Sequence, residues 1–423
     1  MNAQFQASNV SSTSVTRRTT CHACGGANLE LFLSLGEVPL ANSFLTAEQL
    51  GMAEPRFPLE VFFCSDCSLV QLVHVVDPEV LFSNYAYRTG TNETIAAHNA
   101  ALASAVVSEL RLTSENLVAE VASNDGSLLQ CFRRHGVRTV GIEPARNIAQ
   151  IAREAGIETV NEFFDQAAAA RFARKYGLAA AVLANNVLAH VDATADFLAA
   201  CKSILRPEGR VIIEVPYLVE MLERLEYDTI YHEHLCYFSV TALMRLFEEA
   251  GLALDRVDRV DIHGGSLRLW ARHTDSAGHA EAVRNRADAE TAAGLTQLRT
   301  YQEFAGRVER HRDELRGLLQ RLKGEGKSVV GYGAPAKGNT LLCYCGIGTD
   351  LVSYTVDRSP LKIGLHTPGT HIPIFSTDRI FSDQPDYVLI LAWNFAPEIM
   401  EFLRSYQERG GRFILPIPEP TIR

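Results

Sequence analysis

Two C-x-x-C pairs, CHAC from Cys21 to Cys24 and CSDC from Cys64 to Cys67, constrain this chain more tightly than any other feature. A C-x-x-C turn aims two thiolates the same way at about the 2.3 Å zinc–sulfur distance, and two such turns complete a tetrahedron. The loop between the pairs is longer than in most zinc ribbons, but closure entropy grows only slowly with loop length. Four thiolates leave no open coordination position, so the expected metal is a structural zinc in a segment too small to bury its own core. The alternative is four buried thiols without a ligand. His22 and His74 lie nearby and are not needed for the count.

The nine cysteines are an odd number and no apolar leader precedes them, which fits a reducing cytoplasm where disulfides are not the expected use. The Ser-, Thr-, Asn- and Gln-rich start is a poor signal peptide and is expected to be a disordered tail over 1–18. No run of roughly eighteen apolar residues exists, so no membrane span is expected. At 423 residues the chain needs two or three domains. A net charge of −10 excludes a protein whose main work is gripping nucleic-acid phosphates, though not a local basic pocket for one phosphorylated small molecule.

LVAEVASNDGSLLQCFRRHG reads as a strand over 117–121, a sharp loop over 122–126 and a helix starting near Ser127. The next strand ends in Glu143, about twenty residues on, where a doubly wound nucleotide fold places an acid for ribose hydroxyls. The loop is not G-x-G-x-x-G. Asn124 and Asp125 stand where a dinucleotide pyrophosphate needs bare backbone and no added negative charge. An acidic loop suits S-adenosylmethionine, which carries a sulfonium and an ammonium but no phosphate. Glu120, Ala122, Asn124, Asp125, Gly126 and Glu143 are therefore candidate cofactor residues, with Phe164 of NEFF beside the adenine. AAVLANNVLAHV gives a buried strand ending in Asn185 and Asn186, with His190 just after it, and ILRPEGRVIIEVP gives another ending near Glu214. Taken alone, the asparagine pair also suits ordinary turn chemistry. The order as a whole looks like the middle of a class I methyltransferase domain.

KSVVGYGAPAKGNTLL opens a second strand–turn–helix unit, reached through a polar helical stretch from Asp275 to Lys323. Backbone N–H groups at a helix start, together with Lys337, suit phosphate. A nucleoside diphosphate is the natural occupant, with Tyr332, Lys337 and Asn339 as contacts. Asp357 and Lys362 follow in a later loop at the same sheet edge, and Trp393 and Asn394 end the next strand. The alternative is a degenerate fold kept only for packing. HGGSLRLW either brings His263, Gly264 and Ser266 to a cleft between the two large domains or forms a bulge. Tyr85 and Tyr87 of YAYRTG either cover a sugar or are half-buried strand aromatics.

These segments together resemble the three-domain C-methyltransferases that act on nucleotide-linked keto-deoxysugars in natural-product biosynthesis. The resemblance rests on the paired C-x-x-C, LGEVPLANSFL, YAYRTG, EVASNDGSLL, ANNVLAHV, IYHEHLCYFS, HGGSLR, GYGAPAKGNTLL and HTPGTHIPI, and spans nearly the whole chain after the tail. Ala122 departs from the glycine frequent in the family, and RTGTNET varies a serine-rich segment beside the sugar pocket. The implied architecture is α/β: a zinc-binding domain (19–85), a central class I methyltransferase Rossmann-like domain (86–273), a helical linker (274–325) and a second Rossmann-like, sugar-nucleotide-binding domain (326–423). S-adenosylmethionine and structural zinc are the implied cofactors. The expected partner is a sugar nucleotide, dTDP-linked, taken by a monomer.

The stretch YHEHLCYFS is where the chemistry is expected. An acceptor carbon must lose a proton before it can be methylated, and a neighbouring ketone acidifies that proton by spreading charge onto oxygen. The enzyme then needs a base near the C–H bond and a donor near the enolate oxygen. The resemblance puts catalytic residues at Tyr231, Glu233, His234 and His190. His234 suits the base, Tyr231 a donor to a sugar oxygen or the enolate, and Glu233 a group that holds an imidazole tautomer or contacts a hydroxyl. A catalytic metal is the weaker reading, because His232 and His234 are two apart and would diverge on a helix. An internally hydrogen-bonded polar loop is the plainest one, and His232 suits it best. Competing functions are O- or N-methylation, a nicotinamide-dependent oxidoreductase built on GYGAPAKG, and a non-enzymatic zinc-ribbon binding module.

Overall fold

The structure is a computed structural model that describes residues 15–82, 89–91, 93–262, 264–274 and 278–423. Within the stretch read as a tail, β1 (Val15–Arg17) is already ordered. The zinc-binding sheet begins with β2 (Leu29–Val38), β3 (Phe57–Cys64) and β4 (Val70–Leu72), antiparallel neighbours in that order. β5 (His74–Val76) turns back to pair with β1, Val15 opposite Val76.

The central sheet follows from the apolar runs. β6 (Leu117–Val121) is buried at all five positions, as a strand covered on both faces should be. β7 (Arg138–Ile142), β8 (Thr159–Val160), β9 (Ala179–Asn185) and β10 (Leu205–Pro216) lie parallel to it. After the two-residue β11 (Cys236–Tyr237), the hairpin β12 (Leu252–Val260) and β13 (Ser266–His273) adds two antiparallel strands. The order is β12-β13-β10-β9-β6-β7-β8, so the chain reverses its winding between β6 and β9. A doubly wound sheet leaves its ligand crevice at that reversal. β11 does not join this sheet. It pairs with β4 and becomes the outer strand of the zinc-binding sheet, Cys236 opposite Gln71 and Tyr237 opposite Val70.

The last sheet confirms a second Rossmann-like unit. β14 (Val329–Tyr332), β15 (Thr355–Asp357), β16 (Ile374–Ser376), β17 (Tyr387–Ile390) and β18 (Arg412–Leu415) are parallel, and β19 (Thr421–Ile422) closes the edge antiparallel. The segment expected as a linker is more than a connection. Its 27-residue helix, Leu298–Gly324, buries Tyr301, Phe304, Val308, Leu315 and Leu319. Tyr301 stacks on Phe63 at 4.9 Å and contacts Phe32 at 5.2 Å, so this helix closes one face of the zinc-binding sheet.

Cross-links between the three units are polar and specific. The His22 ring sits between the carbonyls of Leu72 and Asp192, each at 2.9 Å, and Thr194 Oγ1 donates to the His22 carbonyl at 2.7 Å. Leu45 and His366 exchange backbone hydrogen bonds at 3.0 and 2.8 Å, tying the zinc-binding segment to the C-terminal sheet. Tyr301→Ala is expected to lower stability by about 3–5 kcal/mol, the range for emptying a buried aromatic site. A urea midpoint unchanged from wild type would contradict that role.

Candidate functional site

The four cysteines converge as their spacing requires. Sγ atoms of Cys21 and Cys67 are 3.6 Å apart and those of Cys24 and Cys64 are 3.7 Å apart, with all four within 4.8 Å of one another. Zinc–sulfur bonds of about 2.3 Å in a tetrahedron require sulfurs about 3.8 Å apart, so the cage fits zinc. Backbone N–H groups of Ala23 and Gly26 point at Cys21 and Cys24 sulfur at 3.4 Å, and the Gln71 amide reaches Cys21 at 3.2 Å. Such donors offset thiolate charge. His22 is committed to carbonyls and His74 faces Glu60 at 3.8 Å, so both stand outside the cage.

After β6 the chain makes its loop with Ala122, Asn124 and Gly126 at φ of 52°, 49° and 75°. That left-handed geometry explains why glycine suits the Ala122 position. Glu143 holds the loop, its two oxygens accepting from Asn124 and Ala145 N–H at 2.8 Å each. Asn124 Oδ1 accepts from Thr89 N–H at 2.9 Å and Asp125 Oδ2 from Gly90 N–H at 3.0 Å. Asp125 and Gly126 thus build the loop from behind, whereas Glu120, Ala122, Asn124 and Glu143 line the cleft. Glu120 is buried, and burial together with Asp125 and Glu143 pushes its carboxyl well above the usual range. Its Oε2 has no partner among the described residues. A cation would relieve both conditions. Phe164 stands at the wall, edge-on to Phe197 at 5.8 Å, and the exposed Phe163 beside it also lines the cleft. Asn185 and Asn186 close this side, with Asn186 N–H on the Glu214 carbonyl at 2.8 Å.

The stretch from Tyr231 to Ser239 is neither a helix nor a plain strand. A short 3-10 turn, Tyr227–Thr229, leads into it, and His234 N–H bonds back to the Tyr231 carbonyl at 2.8 Å. That turn stacks the two rings 4.0 Å apart with Tyr231 Oη 2.8 Å from His234 Nε2. His234 Nδ1 lies 2.8 Å from the Thr229 carbonyl, which can only accept. Nδ1 therefore carries the proton, and Nε2 is the basic atom that receives the Tyr231 hydroxyl. His190 packs edge-on to His234 at 4.9 Å; burial pushes its pKa down to about 4, so its ring is neutral, with Nδ1 enclosed and unpartnered among the described residues. Glu233 accepts from the Asn42 amide of the zinc-binding domain at 2.6 Å. His232 turns away, toward the Pro58 carbonyl at 3.2 Å, so the two histidines do not converge on one ion.

Across the cleft, Lys337 begins the helix Ala336–Cys345, its Nζ bonded to Asn394 Oδ1 and 4.0 Å above the Trp393 ring. Burial lowers its pKa to about 8 against the pull of Asp228 and Glu226. Those carboxyls are raised by burial, Glu226 to about 7 and Asp228 to about 6. The sequence reading missed both, although the signal, EYD, ends just two residues before YHEH begins. Asp357 accepts from Ala334 and Ser359 N–H at 2.8 Å each, and Lys362 donates to the Ala334 carbonyl at 2.8 Å. Three expected contacts need correction. Asn339 is buried and donates to the Ala41 carbonyl at 2.7 Å, because its helix is clamped against the zinc-binding segment. Tyr332 stands behind the wall with its hydroxyl 3.1 Å from Arg358 Nε. Trp393 is likewise withdrawn, donating to Asp228 at 2.6 Å. Gly264 and Ser266 do not line the cleft either: Ser266 is buried, its hydroxyl on the Ile262 carbonyl at 3.0 Å. Tyr85, Tyr87 and His263 lie outside the described residues.

Lys337, His234 and the loop after β6 all face one continuous cleft of 1820 Å³. Comparison with known proteins shows the family of the chain that builds it. Family models match in sequence: "Putative zinc binding domain" over 21–82, "Methyltransferase domain" over 96–257 and "C-methyltransferase C-terminal domain" over 261–418. The C-methyltransferase NovU of Streptomyces niveus is 40% identical over 404 residues, 95% of this chain and 96% of that protein. The chain belongs to the C-methyltransferase family. Solved structures similar in fold include the magnesium protoporphyrin IX methyltransferase of Synechocystis PCC 6803 with bound SAM, at 12% identity and TM-score 0.33, covering 42% of this chain and 79% of that one. Another is the 1,6-didemethyltoxoflavin-N1-methyltransferase of Burkholderia thailandensis, at 20% identity and TM-score 0.32, covering 44% and 80%.

Membership settles carbon as the methylated atom and S-adenosylmethionine as the donor, and sets aside the oxidoreductase, heteroatom and binding-module alternatives. The acidic loop fits that cofactor, because the Glu120 carboxyl lacks a cation and the donor brings two. No helix among the described residues is long and apolar enough to cross a membrane. Because β11 completes the zinc-binding sheet directly after His234, Cys67→Ser is expected to cost zinc, thermal midpoint and methyl transfer together. Elemental analysis alongside melting and activity measures all three; full activity in zinc-free protein would contradict the coupling.

Proposed function

We propose that the protein C-methylates a nucleotide-linked keto-deoxysugar, dTDP-linked, at a carbon next to its ketone. The observation that carries this reading is the Tyr231–His234 pair, hydrogen-bonded at 2.8 Å in the same cleft as the acidic loop and Lys337. S-adenosylmethionine, when bound, supplies an electrophilic methyl group on sulfur. Glu120, Asn124 and Glu143 would hold it, with Phe164 at the adenine. Tyr231 Oη takes the proton from carbon as its own proton passes to His234 Nε2, and the Thr229 carbonyl steadies the resulting imidazolium through Nδ1–H. Tyr231 thus sits on the base side of the reaction, whereas the sequence had suggested a donor to oxygen. Glu233, oriented by Asn42, is placed for a sugar hydroxyl. Lys337 and the N–H groups at its helix start take the diphosphate, and Asn394 and Lys362 flank it.

Solvent-deuterium exchange at the acceptor carbon, followed by NMR without methyl donor, tests this directly. Wild-type protein should exchange one position of a dTDP-keto-deoxysugar. His234→Ala should slow exchange by about 10²–10⁴-fold, the usual worth of a positioned base, while still binding the sugar nucleotide. Undiminished exchange in that variant would reject the assignment. Lys337→Met is expected to weaken dTDP binding by at least about tenfold, roughly 1.4 kcal/mol, by calorimetry. Unchanged affinity would move the diphosphate elsewhere.

A further inference from the structure

Enolising a ketone takes two groups, a base at carbon and an acid at oxygen. The Tyr231–His234 pair holds one mobile proton directed at Nε2, and its second imidazole proton is committed to the Thr229 carbonyl. That arrangement serves the carbon side. Among other cleft-lining groups, the Tyr217 hydroxyl is committed to Glu290 at 2.8 Å, and His190 Nδ1 is enclosed without a partner among the described residues.

His98 differs. It sits on the helix Glu93–Glu109 and faces the cleft beside Glu214, which lies near the end of β10 opposite Asn185 on β9. Its Nε2 lies 3.0 and 2.8 Å from the two Glu214 oxygens. Arg268, directly across from Glu214 on β13, donates Nε to the same carboxylate at 2.7 Å. Glu214 is 1% exposed, and although burial alone would raise its carboxyl, His98 and Arg268 hold it below the usual range. Nε2–H of His98 is therefore pinned, and Nδ1 makes no hydrogen bond among the described residues. A buried carboxylate orienting one imidazole nitrogen while the other meets the ligand space is the arrangement of a proton-transfer histidine. Arg268 offsets part of the Glu214 charge. The location agrees. The methyl donor belongs at the β6–β9 reversal, and β10 is the strand just beyond β9.

We propose that His98 is a second catalytic residue, donating a proton from Nδ1 to the acceptor's carbonyl oxygen, with Glu214 and Arg268 as its positioning residues. The step rests on the ketone reading above. As the base removes the carbon-bound proton, the C–H pair becomes the C=C bond and the carbonyl π pair moves to oxygen, which takes the His98 proton. On methyl transfer the C=C pair forms the new C–C bond, the S–CH3 pair stays on sulfur, the O–H pair restores C=O, and the proton returns to Nδ1.

The test compares wild type, His98→Gln, His98→Ala and Glu214→Gln, with solvent-deuterium exchange and methyl transfer measured beside S-adenosylhomocysteine affinity and melting. Gln at 98 keeps a donor for Glu214 but cannot transfer a proton. Exchange and kcat should fall together by about 10²-fold or more with acceptor KM and cofactor affinity little changed, and added imidazole should restore the Ala variant. Glu214→Gln should fall less. Exchange in His98→Gln within about twofold of wild type, or a loss explained by cofactor affinity and unmoved by imidazole, overturns the proposal. Failure of the ketone reading would instead appear in the wild-type protein, as absent exchange on every keto-sugar.

Discussion

The backbone of Leu235 is the joint on which the site depends. Its N–H bonds to the Ala189 carbonyl at 2.7 Å, one residue before His190, and its carbonyl accepts from Leu72 N–H of the zinc-binding sheet at 2.8 Å. Buried backbone groups must find partners, so these two bonds fix both the depth and the rotation of the segment that carries His234. The zinc cage holds β3 and β4 in register a few residues away, and Gln71, opposite Cys236, also reaches the Cys21 sulfur. The zinc cage, which does not line the cleft, thus bears on the geometry of the His234 ring.

The cleft is charged unevenly along its length. One end gathers Glu120 and Glu143, the other Lys337 and Lys362 beside the carboxyls of Glu226, Asp228 and Asp357, within a protein of net charge −10. Burial works against the charged form at both ends, raising Glu120 and lowering both lysines. The acidic end is therefore most stable when a cation arrives, because the ligand supplies what lost water no longer does.

Local patterns were readable from the chain. C-x-x-C spacing, an apolar strand ending in a sharp turn and the density of proton-handling groups in YHEH each operate within a few residues. Contacts made across the fold were not. Asn339 looked like a ligand contact because its motif follows a phosphate-type turn; only packing turns it toward Ala41, 298 positions away. Glu214 lies near the end of a strand that the pattern located well, yet its partners His98 and Arg268 come from a helix 116 residues earlier and a strand 54 residues later. The helix Leu298–Gly324 is polar enough to pass for a tether, and its buried stripe becomes meaningful only against Phe63 and Phe32.

The pairing of β11 with β4 also bears on how the molecule is made. These strands join residues 236–237 to 70–71, so the outer rung of the first sheet is synthesised long after the rest of it. Until then β4 presents an open edge with unsatisfied backbone groups, the kind of surface on which nascent chains associate wrongly. Early capture of zinc would keep that edge in its final register while the ribosome adds the nucleotide-type sheet. Closure of that sheet is therefore a long-range contact, while all four cysteines of the cage lie in the part made first.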